Sequence, residues 1–127
     1  MYRRFSDLDP LGHVNNVAYF DYLQEARIGI LRDVGLVRSD SFAQVVVKQE
    51  LTHLKPLFLS IEPLIVETWI EGLRNSSYTV RCRIIDESGD VAAEASTVCA
   101  VVDAGTGKPI RMNAELRAVL APLTIDA

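Results

Sequence analysis

The chain has 127 residues, of which 49% are hydrophobic and 24% charged, and this balance excludes a disordered or fibrous chain. The formal net charge of −4 argues against a nucleic-acid partner, which would require a basic face. Cys82 and Cys99 are too few for a disulfide scaffold, and both lie in apolar runs where we expect buried, inert thiols. Because there is neither a leader pattern nor a long apolar run, we expect one cytoplasmic domain over residues 1–127 with no membrane partner.

The first part of the chain is predicted to contain a short strand, a loop and one long helix. Residues 2–6 have the pattern of a strand, and residues 7–14 are rich in turn-forming residues. From about Asn16 to Val34, apolar residues recur with the helical period and mark one buried face, namely Tyr19, Tyr22, Leu23, Ala26 and Ile30. Further apolar residues widen this stripe and predict burial on more than one side, namely Phe20, Ile28 and Leu31.

Two glycines in this region carry separate predictions. Gly35 stands where a helix commonly ends, just after its last periodic residue. Gly29 lies inside the helix, where it costs about 1 kcal/mol relative to Ala, so we expect a closely packed neighbour there.

The rest of the chain is strand-like until a short last helix. Four long strands are predicted over residues 43–56, 64–71, 78–86 and 91–103, with a hairpin turn at residues 86–90. Asn113 is the predicted N-cap of a helix over residues 114–120. Short links between consecutive strands imply an antiparallel sheet, and one long helix cannot cover both of its faces. The predicted fold is therefore α+β, with a curved antiparallel sheet wrapped around one long helix.

The segment that joins the loop to the helix, RFSDLDPLGHVNNVAYFDYLQEAR over residues 4–27, resembles the signature of hotdog-fold acyl-CoA thioesterases of the 4-hydroxybenzoyl-CoA thioesterase type. The order and spacing of D-x-D-x-x-G-H-V-N-N-x-x-Y carry this resemblance, and the segment is also similar to its counterpart in plant acyl-ACP thioesterases. The resemblance implies the hotdog fold, a five-stranded antiparallel sheet around one long helix. It also implies hydrolysis of acyl-CoA substrates, no cofactor, and a homodimer or homotetramer.

Three residues of the motif are the candidate catalytic groups. Pro10 biases Asp9 toward an extended backbone, and by resemblance Asp9 is the catalytic carboxylate, acting as general base or as nucleophile. The first N–H groups of a helix can hold an oxyanion, and the resemblance assigns this role to the backbone of Asn16. His13 belongs to the active site in the acyl-ACP pattern, with its direct participation left open here. Leu11 stands where that pattern has a catalytic Asn, which favours the acyl-CoA branch.

The candidate binding residues come from the helix and from the later strands. Tyr19 is predicted to belong to the core or to line the acyl pocket. The resemblance places the CoA region near four residues, Arg74, Ser76, Ser77 and Arg111. Glu50 and His53, on the first long strand, are interpreted as solvated or interface residues rather than as site residues. Two isolated His and two distant Cys do not predict a metal site.

Two alternative functions remain compatible with the sequence. One is a non-catalytic module that binds acyl-CoA on the same fold and needs no carboxylate. The other is a hotdog hydratase or dehydratase, in which His13 and Glu25 would imitate a catalytic His–Glu pair. The second is disfavoured because Glu25 falls on the polar side of the predicted helix and the signatures of those enzymes are missing.

Overall fold

The computed structural model describes residues 1–33 and 42–125. The described residues form α1 (Asn16–Asp33), β1 (Phe42–His53), β2 (Ile65–Glu71), β3 (Ser77–Ile85), β4 (Val91–Asp103) and α2 (Ala114–Leu120). Two 3-10 turns lie at Phe5–Asp7 and Ala121–Leu123. The predicted α+β class, both helices and the four long strands are confirmed, whereas the predicted helix end at Gly35 lies outside the described residues.

The sheet is antiparallel throughout, with the strand order β1-β4-β3-β2. Burial alternates along β3, where four residues face the core, namely Tyr78, Val80, Cys82 and Ile84. This period of two is what a strand requires when one face is covered. Both cysteines are free and buried, as predicted, and burial raises the pKa of each thiol.

The prediction of a fifth strand is wrong, because the sheet has four strands within the described residues. In place of the strand over residues 2–6, the chain makes a 3-10 turn at Phe5–Asp7. The Asp7 N–H donates to the Arg4 carbonyl at 2.9 Å, and the Asp7 carboxylate accepts from the Arg4 N–H at 2.9 Å. These local bonds use backbone groups that strand pairing would have needed.

Helix α1 packs one face against the inner face of the sheet. Tyr19, Tyr22 and Leu23 join the buried core there, while Leu116 and Leu120 of α2 enter the same core. The prediction of burial on more than one side is wrong within the described residues, because Phe20 is 38% and Ile28 is 43% exposed. The side chain of Leu31 lies outside them.

The structure also contradicts the close neighbour predicted at Gly29. Apart from its two chain neighbours and the adjacent backbone of α1, no atom of the described residues lies within 4 Å of a Cβ at this position. The glycine is therefore not required by packing inside this part of the single chain.

The two edges of the sheet differ in what covers them. Near the C-terminus, Thr124 bridges to Ile70 of β2, and the Ile125 N–H donates to the Ile70 carbonyl at 2.8 Å. The outer edge of β1 pairs with no segment among residues 1–33 and 42–125. The described part of the chain thus leaves one long edge of the sheet open, a condition that favours pairing with another chain.

Candidate active site

The loop before α1 holds Asp9 by hydrogen bonds at both ends of the residue. The Asp9 N–H donates to the His13 carbonyl at 2.8 Å, and the Gly12 N–H donates to the Asp9 carbonyl at 3.0 Å. Oδ1 of Asp9 accepts from the N–H groups of Leu11 at 2.9 Å and His13 at 3.1 Å. Gly12 has φ +80°, a left-handed conformation that a residue with Cβ adopts at a cost. The loop thus orients the carboxylate while using only one of its oxygens in the described contacts.

Asp7, the other acid of the motif, is buried and structural. Its side chain is 4% exposed and lies 2.8 Å from the Arg4 guanidinium. The Tyr22 hydroxyl donates to its Oδ2 at 2.5 Å, and its carbonyl accepts from the Asn15 N–H at 2.7 Å. Asp7 therefore ties the loop to both the N-cap residue and the middle of α1.

The two asparagines at the start of α1 have different roles. Oδ1 of Asn15 accepts from the Ala18 N–H at 3.0 Å, as an N-cap side chain does. Asn16 is the first residue of the helix, so its backbone N–H has no acceptor within the helix. One asparagine caps α1, and the other supplies an N–H without an intrahelical acceptor at its positive end.

This division predicts different effects for two matched substitutions. Asn15→Ala removes the cap and should lower the free energy of unfolding by about 1 kcal/mol. Asn16→Ala removes no cap bond and should change it by less than about 0.5 kcal/mol. Urea unfolding of both variants measures the difference, and an equal loss in the two would contradict the assignment of the cap to Asn15.

Asp9 and the helix start lie in one cleft with a volume of about 290 Å³. The loop, the first turns of α1 and the end of β1 form its three walls. The lining residues are Asp9, His13, Val14, Asn16, Tyr19, His53, Leu54, Lys55 and Pro56. The structure therefore brings together four of the predicted site residues, namely Asp9, His13, Asn16 and Tyr19.

Two histidines line this cleft, and only one of them was predicted as a site residue. The ring of His13 packs edge-on against Phe58, with ring centroids 4.9 Å apart. The ring of His53 packs edge-on against the buried Tyr19, with centroids 4.6 Å apart. His53 was interpreted from sequence as a solvated strand residue. Its spacing of two from the core-facing Leu51 was the signal for the inner side of the strand.

Lys55 lies in the same wall but its charge is already paired. Its ammonium lies 2.6 Å from the Asp86 carboxylate and 2.8 Å from the Asp90 carboxylate in the β3–β4 turn. The hydrogen bonds that Lys55 donates to both carboxylates raise the pKa of Lys55, and the one to Asp86 lowers the pKa of that carboxyl group. This ion-pair cluster fixes the chain just after His53 against the neighbouring hairpin.

The four predicted CoA residues lie at the other end of the sheet. Ser77 begins β3, whereas the cleft adjoins the end of β1 at His53, opposite Ala93 at the start of β4. The nine residues of β3 span roughly 30 Å at about 3.3 Å per residue, which separates the two ends.

The structure nevertheless brings the CoA candidates close to one another. The Arg74 N–H donates to the Ser77 carbonyl at 2.8 Å, and Met112, next to Arg111, donates its N–H to the Asn75 carbonyl at 2.6 Å. Arg74 and Arg111 are both exposed. A contact between this group and a ligand in the cleft stays a prediction.

Other candidate chemistries find less support in the described part of the chain. Glu25 is exposed on α1 and does not line the cleft with His13. Within residues 1–33 and 42–125, no three His, Cys, Asp or Glu side chains are grouped so that they would hold a metal ion. Among the described helices, none combines the length and apolar character needed to cross a membrane.

Comparisons with known proteins agree on one family. The model of the thioesterase-like superfamily matches residues 3–120. FadM, a long-chain acyl-CoA thioesterase of Escherichia coli strain K12, is 32% identical over 119 residues, which cover 87% of this chain and 86% of FadM.

Solved structures with lower identity share the fold. Slr0204, a 1,4-dihydroxy-2-naphthoyl-CoA thioesterase from Synechocystis, superposes with a TM-score of 0.88 at 18% identity and covers 97% of this chain and 93% of its own. A DHNA-CoA thioesterase from Staphylococcus aureus gives a TM-score of 0.83 at 21% identity, covering 96% of this chain and 86% of its own. At these identities the likeness concerns the fold alone.

Proposed function

The chain belongs to the thioesterase-like superfamily, and from this membership we propose that it hydrolyses acyl-CoA thioesters to a free acid and CoA. The observation that carries the proposal is the shared cleft of Asp9 and Asn16. A carboxylate and a helix N–H without an intrahelical acceptor in one cleft supply the two functions that thioester hydrolysis needs, namely activation of water and stabilisation of an oxyanion.

In the proposed reaction, the Asp9 carboxylate takes a proton from water, and the water oxygen attacks the thioester carbon. Oδ2 is suited to this because Oδ1 already accepts two backbone hydrogen bonds. The carbonyl oxygen becomes negative, and the Asn16 N–H stabilises it at the positive end of α1. The C–S bond then breaks, and the departing sulfur takes the proton that Asp9 holds. His13 supports this step by holding the Asp9 loop through its own backbone.

The test is release of free thiol from short, long, branched and aromatic acyl-CoAs, followed with a thiol reagent. We expect catalytic turnover of at least one of these classes without added metal or cofactor. Tight binding of acyl-CoA with no turnover at several pH values would instead support the non-catalytic binding module. A cytoplasmic location stays a prediction of the sequence.

We further propose that the functional unit is a homodimer, formed along the open edge of β1. This strand pairs only with β4 among the described strands, and Val45, Val46 and Val47 are 42%, 45% and 64% exposed. A long, exposed apolar edge strand is a ready site for pairing with another chain. Two copies related by a two-fold axis would pair antiparallel, which would bring the partner's far sheet end toward the cleft. Such pairing would place the CoA candidates of one copy close to the cleft of the other copy.

Sedimentation at micromolar concentration tests the dimer. Val46→Asp should shift the wild-type dimer to monomer, because it places a charge on the exposed edge strand. Ile65→Asp, a matched change at a 59% exposed residue of β2, should leave the dimer intact. A stable wild-type monomer, or equal dissociation of both variants, would contradict an interface along β1.

A further inference from the structure

We propose that His53 is a catalytic residue that donates a second hydrogen bond to the thioester carbonyl oxygen, beside the Asn16 N–H. This inference rests on the proposed thioesterase function and adds a residue from the opposite wall of the cleft. Oxyanion sites commonly combine backbone N–H groups with side-chain donors, including His.

The sheet places His53 on the side of the cleft. His53 is the last residue of β1 and lies opposite Ala93, which is fully buried on the inner face of β4. Directly opposite residues of an antiparallel pair share a face, so the imidazole projects toward α1 rather than to the outer face of the sheet. There it meets the Tyr19 ring at 4.6 Å and an interplanar angle of 89°.

Helix geometry places this contact near the first turn of α1. Asn16 and Tyr19 are three residues apart and therefore share one helix face. Helical side chains lean toward the N-terminus, so the Tyr19 ring covers the turn that contains Asn16. A group packed on the Tyr19 ring therefore lies beside the first helical turn. Asn16, Tyr19 and His53 all line the same cleft, as this geometry requires.

Among the polar groups of the β1 wall, His53 is the one with hydrogen-bonding capacity to spare. Its side chain is exposed, and its ring makes no hydrogen bond or ion pair within the described residues. Lys55 is held by Asp86 and Asp90, so its ammonium is directed to the hairpin. His13 sits in the loop wall, where its backbone holds Asp9 and its ring packs on Phe58.

The chemistry requires a donor and not proton transfer. An imidazole carries at least one N–H in either protonation state, so it can donate to the carbonyl oxygen throughout the reaction. As water attacks, that oxygen becomes negative and the hydrogen bond strengthens. No proton leaves His53, and the proton balance through Asp9 is unchanged. Loss of one such donor typically lowers kcat by about 10²–10³-fold.

Three substitutions separate a donor from a packing residue. His53→Phe keeps an aromatic edge against Tyr19 but removes the donor. His53→Gln and His53→Asn keep an N–H donor near the positions of Nε2 and Nδ1 but remove the ring. We expect His53→Phe to lower kcat by about 10²–10³-fold with little change in KM, and one of the two amide variants to remain within about tenfold of wild type.

The measurement is kcat and KM on the best acyl-CoA substrate, as a function of pH, with thermal unfolding as the check of folding. An active His53→Phe beside two inactive amide variants would show packing and overturn the proposal. If all three variants lose kcat and their pH profiles also lose one limb, His53 transfers a proton, and this result would overturn the proposal as well. Turnover by wild type with all variants unimpaired would overturn the role of His53 alone. No wild-type turnover on any acyl-CoA would overturn the proposed function and this inference together.

Discussion

Asp9→Asn should lower kcat for acyl-CoA hydrolysis by about 10²–10⁴-fold while leaving the protein folded. The amide oxygen of Asn can still accept the N–H groups of Leu11 and His13, which in the native loop lie 2.9 and 3.1 Å from Oδ1. The amide nitrogen that replaces Oδ2 can neither take a proton from water nor attack the thioester carbon. The substitution therefore removes the chemistry and preserves the loop.

Thiol release and thermal unfolding, measured on the same preparations, test this expectation. Asp9→Ala is the matched comparison, because it removes the two loop hydrogen bonds as well as the carboxylate and should lose stability in addition to activity. If Asp9→Asn hydrolyses acyl-CoA as fast as wild type, Asp9 is neither base nor nucleophile. A burst of thiol stoichiometric with wild-type enzyme, together with an acyl group trapped on Asp9, would identify Asp9 as the nucleophile.

Asp7→Ala should lower the free energy of unfolding by about 2–4 kcal/mol. The carboxylate is 4% exposed and accepts hydrogen bonds from the Tyr22 hydroxyl, the Arg4 N–H and the Arg4 side chain. Its removal leaves the buried Tyr22 hydroxyl without its acceptor and releases the turn at Phe5–Asp7. Asp21→Ala is the control, because Asp21 lies 3.9 Å from the same Arg4 but is 57% exposed, so its loss should be below about 0.5 kcal/mol.

The effect of Asp7 should depend on pH in a defined direction. Burial raises the pKa of Asp7, but the hydrogen bonds from Arg4 and Tyr22 outweigh it and lower the pKa below the ordinary value of 3.8. A lowered folded-state pKa gives stability that is present above pH 3.8 and is lost as pH falls through the folded-state pKa.

The stability gap between wild type and Asp7→Ala should therefore narrow in acid. Urea unfolding between pH 7 and pH 3 measures it, and a gap that stays constant would contradict a charged, buried Asp7. In a double-mutant cycle, Tyr22→Phe should cost less in the Asp7→Ala background than in wild type, because the two groups share one hydrogen bond.

The sequence by itself determined the features that depend on neighbours along the chain. The helical period placed α1, alternation placed the four long strands, and Asn113 was identified as the N-cap of α2, where its side chain accepts from the Leu116 N–H at 2.7 Å. The motif from Asp7 to Tyr19 could be recognised in the sequence for the same reason. Its loop, cap and first helical turns are held by contacts within a few residues, and Asp9 and Asn16 line the same cleft.

Only the tertiary structure decided which distant segments meet. His53 enters the cleft because the register of β1 with β4 turns it inward onto Tyr19, 34 positions earlier in the chain. Arg74 and Arg111 lie away from the cleft because β2 and β4 carry the chain to the opposite end of the sheet. The first residues form a turn, because the buried Asp7 carboxylate accepts hydrogen bonds from the Arg4 N–H and the Tyr22 hydroxyl. Periodicity reports which side of an element is buried, whereas the partner that buries it is chosen by sheet register and side-chain packing across the whole fold.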